Sequence, residues 1–209
     1  KEAIESIEEE KTIQVLRDFE LDEIIEFNKN ITLDLNGYVI TNEYYEMVNN
    51  KNLTIQDTTQ MKNGIINSKY IGIKNEQSGT IEINSGTINS GSYGIYNDGN
   101  ANINVLGGQI ISQSYGIYNK NTGELKISNG KITATNYAIY NESSGKIEII
   151  NGEINASKYG IYNKSGTLKI QESNIISTGY GTYGIYNHSG NVMMKSVTIS
   201  STSKSNYDN

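Results

Sequence analysis

The chain has 209 residues, a net charge of −6 and no cysteine, proline or tryptophan, and Arg17 is its one arginine. Without cysteine it has no disulfide framework, no thiolate metal site and no cysteine nucleophile. The negative charge argues against a nucleic acid or an anionic membrane as partner, and no stretch is long and apolar enough to span a membrane. We therefore expect no nucleic-acid binding and no membrane insertion.

The first 30 residues are expected to form an N-terminal cap. Ala3, Ile4 and Ile7 fall on one face of a helix over residues 1–9, which predicts a short amphipathic helix covering the open end of a solenoid. The segment from there to Phe27 indicates first, irregular strands. We accordingly divide the chain into a cap, residues 1–30, and a repeat domain, residues 31–209.

The first repeats follow the cap. Residues 31–40 alternate apolar and polar side chains on both sides of Asn36-Gly37, which predicts a strand, a turn and a second strand. Residues 45–49 form a degenerate version of the next strand. Residues 56–62 insert a loop into the coil that follows.

Further along, the tetrapeptide Gly-Ile-Tyr-Asn recurs at a nearly fixed interval. Its copies and variants begin at Gly72, Gly94, Gly116, Ala138, Gly160 and Gly184. The step is 22 residues, with two extra in the last one. A fixed period in this range indicates a solenoid, in which each repeat buries its apolar face against its neighbours.

Each repeat contains three short runs with the alternation of a β-strand. In one repeat they are residues 115–119, 125–128 and 131–134, separated by turns rich in Gly and Asn. No segment within a repeat has helical periodicity. The sequence therefore predicts an all-β fold, a right-handed three-stranded parallel β-helix of about seven to eight coils of 22 residues.

Three rows of apolar side chains should point into the core, and one row of asparagines should line a corner. The first row is Ile73, Ile95, Ile117, Ile139, Ile161 and Ile185. The second runs from Leu53/Ile55 to Val192/Met194, and the third from Ile40 to Ile199. The asparagines are Asn49, Asn75, Asn97, Asn119, Asn141, Asn163 and Asn187. Asparagine tolerates the left-handed conformation of a tight corner, and stacked amides hydrogen-bond along the axis, so we interpret this row as structural.

The C-terminal end has no apolar cap in sequence. After Ile199 the chain continues as a polar tail over residues 200–209. We expect this end to be uncapped and the segment to be part of a larger multidomain chain.

The opening of the repeat domain resembles the start of pectate-lyase-like parallel β-helix domains. The resemblance is carried by residues 29–40 (Lys-Asn-Ile-Thr-Leu-Asp-Leu-Asn-Gly-Tyr-Val-Ile), preceded by Ala3-Ile4 and by residues 12–16. It implies the β-helix fold and a place among the surface, adhesin-like proteins of Gram-positive, low-GC bacteria. The same superfamily includes lyases, hydrolases and phage tailspikes, so it does not specify an activity.

The residues that such enzymes use are not grouped in this sequence. Lyases of this type resemble one another in clustering aspartates for Ca²⁺ beside a basic residue, and the related hydrolases use three aspartates with a histidine. Here Asp57, Asp98 and Asp208 occupy different contexts, and the one histidine, His188, follows a corner asparagine. We predict no catalytic residues, no metal site and no cofactor.

An outward row of tyrosines is the feature available for binding. If Ile points inward, alternation sends the flanking Gly and Tyr outward. Tyr96, Tyr118, Tyr140, Tyr162 and Tyr186 would then form a stripe beside an open gutter at Gly94, Gly116 and Gly160, a tentative ligand-binding surface. The alternative is that stacked tyrosines only stabilise the sheet. The second set, Tyr93, Tyr115, Tyr137, Tyr159 and Tyr183, is expected to lean inward or fill a corner.

The leading hypothesis is a non-catalytic, adhesin-like binding or display module at the bacterial cell surface or cell wall. Its partner would be a host or cell-wall glycan, an extended peptide or an extracellular-matrix protein. A purely structural stalk segment, a polysaccharide lyase or hydrolase, and a phage tailspike fragment are the alternatives.

Overall fold

The computed structural model describes residue 4, residues 6–179 and residues 181–201, and it is a right-handed parallel β-solenoid of about nine turns. Each complete turn contributes one strand to each of three sheets, and every strand pairs in parallel with its counterpart one coil away. The predicted fold class is confirmed. The period of 22 residues is also confirmed, since Tyr93 pairs with Tyr115 and Tyr115 with Tyr137.

The three sheets run the length of the solenoid. Sheet 1 consists of Lys11–Gln14, Ile31–Asp34, Asn52–Gln56, Thr80–Ile83, Asn102–Val105, Leu125–Ser128, Ile147–Ile150, Thr167–Gln171 and Asn191–Lys195. Sheet 2 consists of Phe19–Glu20, Val39–Asn42, Ile65–Ser68, Thr87–Ser90, Gln109–Ser112, Lys131–Ala134, Glu153–Ala156, Asn174–Ser177 and Thr198–Ser201. Sheet 3 consists of Ile25–Phe27, Met47–Asn49, Ile71–Asn75, Tyr93–Asn97, Tyr115–Asn119, Tyr137–Asn141, Tyr159–Asn163 and Tyr183–Asn187.

The estimate of seven to eight coils was too low. The strands Lys11–Gln14, Phe19–Glu20 and Ile25–Phe27 pair in register with the next coil, so they form a first coil within the segment interpreted as a cap. The capping helix over residues 1–9 is not confirmed, because residues 1–3 and 5 lie outside the described residues. Ile4 and Ile7 are half-buried and pack against the core.

The core is a thin column of stacked aliphatic side chains, as the three predicted rows require. Ile73, Ile95, Ile117, Ile139 and Ile161 are all fully buried. Burying one such side chain stabilises a fold by about 1.5–3 kcal/mol. In the last described coil the rows open to solvent, with Val192 36%, Met194 54% and Ile199 44% exposed. The uncapped C-terminal end predicted over residues 200–209 lies mostly outside the described residues.

The asparagine ladder is confirmed as a continuous chain of side-chain hydrogen bonds. Each Nδ2 donates to the Oδ1 of the next asparagine at 2.7–2.9 Å, from Asn49 to Asn187. Most of these amides also donate to a carbonyl in the adjoining loop; Asn119, for example, donates to Gly123 O at 2.9 Å. The row therefore ties each coil both to the next coil and to its own corner.

The left-handed backbone conformation occurs at a different corner from the one predicted. Asn36, Asn129, Asn151, Glu172 and Ser196, between sheets 1 and 2, have φ of +48° to +59°. No ladder asparagine is among the residues with positive φ. The ladder positions thus require asparagine for its side-chain amide group. Positions 36, 129 and 151 use asparagine because it tolerates the left-handed backbone conformation.

The outer faces carry ion pairs between coils. Glu148 accepts a hydrogen bond from Lys169 of the next coil at 2.6 Å and a second one from Lys146 of its own coil at 3.0 Å. Hydrogen bonds from these two lysines lower the pKa of Glu148 to about 2. The pairs fix the register of neighbouring coils, and each contributes modestly because both partners touch solvent.

Replacing one ladder asparagine should destabilise the whole solenoid. In Asn119→Ala, Asn97 loses an acceptor, while Gly123 O and the Oδ1 of Asn141 lose a donor. Each buried polar group left unpaired costs about 1–3 kcal/mol, so the free energy of unfolding should fall by about 3 kcal/mol or more. Urea denaturation followed by circular dichroism measures it.

The matched control is Asn84→Ala, since Asn84 is exposed and its side chain makes no hydrogen bond within the described residues. This change should shift stability by no more than about 0.5 kcal/mol. Equal effects of the two substitutions would show that the ladder does not hold the coils together.

Candidate functional site: a double tyrosine ladder

The repeated segment Tyr-Gly-Ile-Tyr-Asn bends within the strand, so two consecutive residues point inward. In the strand Tyr115–Asn119, Gly116 and Ile117 are both buried while Tyr115 and Tyr118 are half-buried. A Cβ added to Gly116 would lie 2.4 Å from Cγ2 of Ile132 in sheet 2 and 2.5 Å from the carbonyl oxygen of Ala138. The glycine therefore lies inside the solenoid, against the isoleucine row of sheet 2.

The predicted open gutter is wrong for this reason. Gly94, Gly116 and Gly160 are buried, and their missing side chains make room for core isoleucines instead of a ligand. Ala138 occupies the same position in one coil and is also buried. Strict period-2 alternation fails here because the strand turns a corner between the first tyrosine and the isoleucine.

The second set of tyrosines does not lean into the core, which was one of the two placements predicted for it. Tyr93, Tyr115, Tyr137 and Tyr159 are half-buried on the outer face of sheet 3, and Tyr183 is 52% exposed. They do not enter the core, because the two inward residues of each strand are glycine (or Ala138) and isoleucine. The other set lies on the outer face as predicted, and both sets flank the bend on the same side.

Together the ten side chains form two parallel ladders. Within each ladder the rings stack with centroids 4.7–5.7 Å apart and interplanar angles of 5–28°. Between the ladders the rings meet edge to face at 5.1–6.1 Å and 64–90°. Offset-stacked and edge-to-face pairs are both favourable, by about 0.5–1.5 kcal/mol each beyond their burial.

This geometry determines which atoms a ligand could reach. Each ring within a ladder has its faces covered by the rings of the neighbouring coils, so what remains accessible is ring edges and hydroxyl groups. A ligand could stack on a ring face only at the ends of the ladders. Along the sides the surface offers regularly spaced donors and acceptors, once per coil.

A charged row borders the ladder of Tyr96 and Tyr118. It comprises Glu76, Asp98, Lys120, Glu142, Lys164 and His188, each directly after a ladder asparagine. Lys120 contacts Asp98 at 2.6 Å, and Lys164 lies 3.7 Å from Glu142. Position 74, which aligns with Tyr96, is a lysine that contacts Glu76 at 2.6 Å. The face is thus aromatic in the centre and ionic along one border.

Tyr118 is linked to this border. Its hydroxyl donates a hydrogen bond to Oε2 of Glu142 at 2.5 Å, a charge-assisted contact. Burial raises the pKa of Tyr118 well above its usual value, and the hydrogen bond to the Glu142 carboxylate raises it further. Burial likewise raises the pKa of Tyr93, Tyr137 and Tyr140.

The sequence analysis did not identify the structural role of two buried carboxylates, Asp34 and Asp57. Asp34 accepts from the backbone and hydroxyl of Thr58 at 3.0 and 2.7 Å, and Asp57 accepts from the backbone of Gly64 at 2.5 Å. Burial alone would raise the pKa of both groups, but these and neighbouring hydrogen bonds outweigh it and hold each pKa below its ordinary value. Both carboxylates hold the inserted loop in place through these hydrogen bonds. The turn sequence from Asp34 to Gly37 was the signal in the sequence that could have indicated such a role.

The remaining candidates for chemistry lie apart. His188 and Arg17 are exposed at opposite ends of the described chain. Among the described residues, no three His, Asp or Glu side chains come together in a group that could hold a metal ion. The described part of the chain also contains no helix of the length and hydropathy needed to cross a bilayer.

Comparisons with protein-family models, with curated proteins and with solved structures find no significant match to this chain. The fold places it in the class of parallel β-solenoids, and the double tyrosine ladder is what distinguishes its surface.

The raised tyrosine pKa values predict a loss of stability at alkaline pH. An unfolded tyrosine ionises near pH 10, whereas the four ladder tyrosines with raised pKa values ionise later, so the free energy of unfolding should fall as pH rises from about 10 through these folded-state pKa values. Absorbance at the phenolate band, recorded beside circular dichroism, should show a late-ionising group of tyrosines.

Lysines lose their charge in the same pH range and also affect stability there. A variant is therefore needed to separate the contribution of Tyr118. Glu142→Gln removes the carboxylate charge and should let Tyr118 ionise earlier. Tyr140, whose pKa the same charge raises, should also ionise somewhat earlier, while Tyr93 and Tyr137 should change little. A single transition near pH 10 for all tyrosines, with the fold retained, would contradict the burial of the ladders.

Proposed function

We propose that this chain is a non-catalytic β-helix module of a bacterial cell-surface protein that binds or displays an extended ligand along its tyrosine face. The observation that carries the proposal is the double ladder, which gathers ten of the sixteen tyrosines on one side of the solenoid. The resemblance of residues 29–40 to pectate-lyase-like domains of Gram-positive surface proteins supports an extracellular location and an adhesin-like role.

The proposed mode of binding uses hydroxyl groups and ring edges. Because neighbouring rings cover each other's faces, a ligand lying along the axis would meet a hydroxyl from each ladder in each of the five coils that carry the ladders. Hydroxyls both donate and accept hydrogen bonds, which suits the hydroxyl groups of a glycan or the backbone of an extended peptide. A host or cell-wall glycan, or an extracellular-matrix protein, is the partner class that we propose.

Several carboxylates with structural roles support the non-catalytic part of the proposal. Asp34 and Asp57 direct their oxygens to the loop that they fasten. On the outer faces, Glu148, Glu153 and Asp98 each lie within 3.0 Å of a lysine of the same or a neighbouring coil. A glycosidase needs one carboxylic acid and one free carboxylate facing a common substrate.

A stalk without ligand is the second candidate, and one observation favours it. The mutual covering of the ring faces is itself stabilising, since stacked and edge-to-face aromatic pairs strengthen the contact between coils. The two candidates make different predictions for substitutions that keep the rings and remove the hydroxyls.

The direct test is a glycan and matrix-protein array, followed by affinity measurements on a Tyr118→Phe, Tyr140→Phe, Tyr162→Phe triple variant. Phenylalanine keeps the stacking and removes three hydroxyls. With each hydrogen bond worth about 0.5–1.5 kcal/mol, the variant should lose about tenfold or more in affinity with the fold unchanged.

The control is Asn104→Ala, an outward position of sheet 1, which should bind like the parent chain. Failure of the parent chain to bind any array component would favour the stalk. New reducing or unsaturated ends after incubation with acidic polysaccharides would overturn the non-catalytic assignment, and trimerisation in solution would favour a tailspike.

A further inference from the structure

The double ladder is also a continuous path of aromatic contacts. All ten rings lie within 6.1 Å of another ring, centroid to centroid, along and between the ladders. The chain has no tryptophan and no cysteine, so tyrosine is the side chain that gives up one electron most readily. An electron vacancy created on one ring can therefore pass to the next by short transfers between contacting rings.

Tyr118 differs from the other members of the path in having a proton acceptor in place. A phenol that loses one electron becomes a strong acid. The oxidation stays on that ring only if the phenolic proton leaves and a neutral phenoxyl radical forms. The Tyr118 hydroxyl donates to Oε2 of Glu142 at 2.5 Å, and Lys164 lies 3.7 Å from the other oxygen of that carboxylate. Among the described tyrosines, it is the one whose hydroxyl is hydrogen-bonded to a carboxylate.

We propose that the tyrosine ladders collect one-electron oxidising equivalents and deliver them to Tyr118, which is thereby a site of oxidative modification. In this step Tyr118 gives one electron to the oxidised ladder and its phenolic proton to Glu142, and a neutral phenoxyl radical remains. The oxidant class is hydrogen peroxide turned over by a haem peroxidase. Each peroxide takes up two electrons and two protons and becomes two molecules of water.

The neighbouring rings determine the stable product. Tyr96 and Tyr140 stack on Tyr118 with centroids 5.4 and 5.0 Å away. When a second oxidation produces a radical on one of them, the two rings couple through carbons ortho to the hydroxyls, and the displaced ring protons return to the phenol oxygens by way of solvent. Two tyrosines thus lose two electrons and two protons in all and form a dityrosine that joins successive coils.

Reaction by exposure alone would give a different pattern. Outside the ladders Tyr44 is 71% and Tyr70 57% exposed, and within the ladders Tyr183 is 52% exposed. Tyr118 is half-buried. Random collision with a diffusing oxidant would therefore modify Tyr44, Tyr70 and Tyr183 before Tyr118.

The experiment treats the chain with a haem peroxidase and limiting hydrogen peroxide, and maps products by dityrosine fluorescence and peptide mass spectrometry. We expect cross-links between Tyr118 and Tyr96 or Tyr140 to exceed all products at Tyr44 and Tyr70. Products led by Tyr44, Tyr70 and Tyr183 would overturn the proposal.

Two variants test the role of the carboxylate. Glu142→Gln should lower the yield at Tyr118 several-fold, while Glu153→Gln, an ion-paired carboxylate on sheet 2, should leave it unchanged. Tyr118→Phe keeps the ring stacking and should reduce total dityrosine several-fold, which gives an independent result if Glu142→Gln folds poorly. An unchanged yield at Tyr118 in Glu142→Gln, together with unchanged total dityrosine in Tyr118→Phe, would contradict the assignment.

Discussion

The structure depends on one constraint, the parallel pairing of each strand with its own copy one coil away. In-register pairing places like residues on top of each other, so every position in the repeat must tolerate a copy of itself at strand spacing. Isoleucine satisfies this by packing, asparagine by donating one amide to the next, and tyrosine by stacking its ring. Charged positions satisfy it by alternating sign, as Lys126, Glu148 and Lys169 do on successive coils.

The bend in the strands of sheet 3, combined with in-register pairing, produces the two tyrosine ladders on the outer face. Because glycine and isoleucine are consecutive inward residues, the tyrosines on both sides of them emerge on the outer face. Two ladders instead of one result, and they interlock edge to face. The same interlocking that stabilises the face also covers the ring faces, so binding and redox chemistry would both use the hydroxyl edge.

Much of this architecture could be read from the sequence, and the part that could not has a physical explanation. The isoleucine rows and the asparagine ladder were predictable, because a repeat of 22 residues fixes which residues stack, whatever the shape of the coil. The direction of Gly116 and Tyr115 was not predictable from alternation, which assumes a straight strand. A usable signal was nevertheless present. Only glycine or alanine occupies that position in the six repeats that begin at residues 72–184, as the close approach of Ile132 to Gly116 requires, and both tyrosines recur equally often. The pairing of Tyr118 with Glu142 joins residues of different coils, and the spacing alone did not distinguish it from the contacts of other border residues.

The most direct test of the double ladder is single-cysteine labelling, which the absence of native cysteine makes clean. Tyr115→Cys, Tyr118→Cys and Ile117→Cys would each be treated with an uncharged thiol reagent in the folded state. Both tyrosine positions should react at comparable rates, and the Ile117→Cys thiol should react only on unfolding. The contrary result would be a Tyr115→Cys thiol that is as protected as the Ile117→Cys thiol while the Tyr118→Cys thiol reacts. That result would place the first tyrosine row in the core and contradict the double ladder.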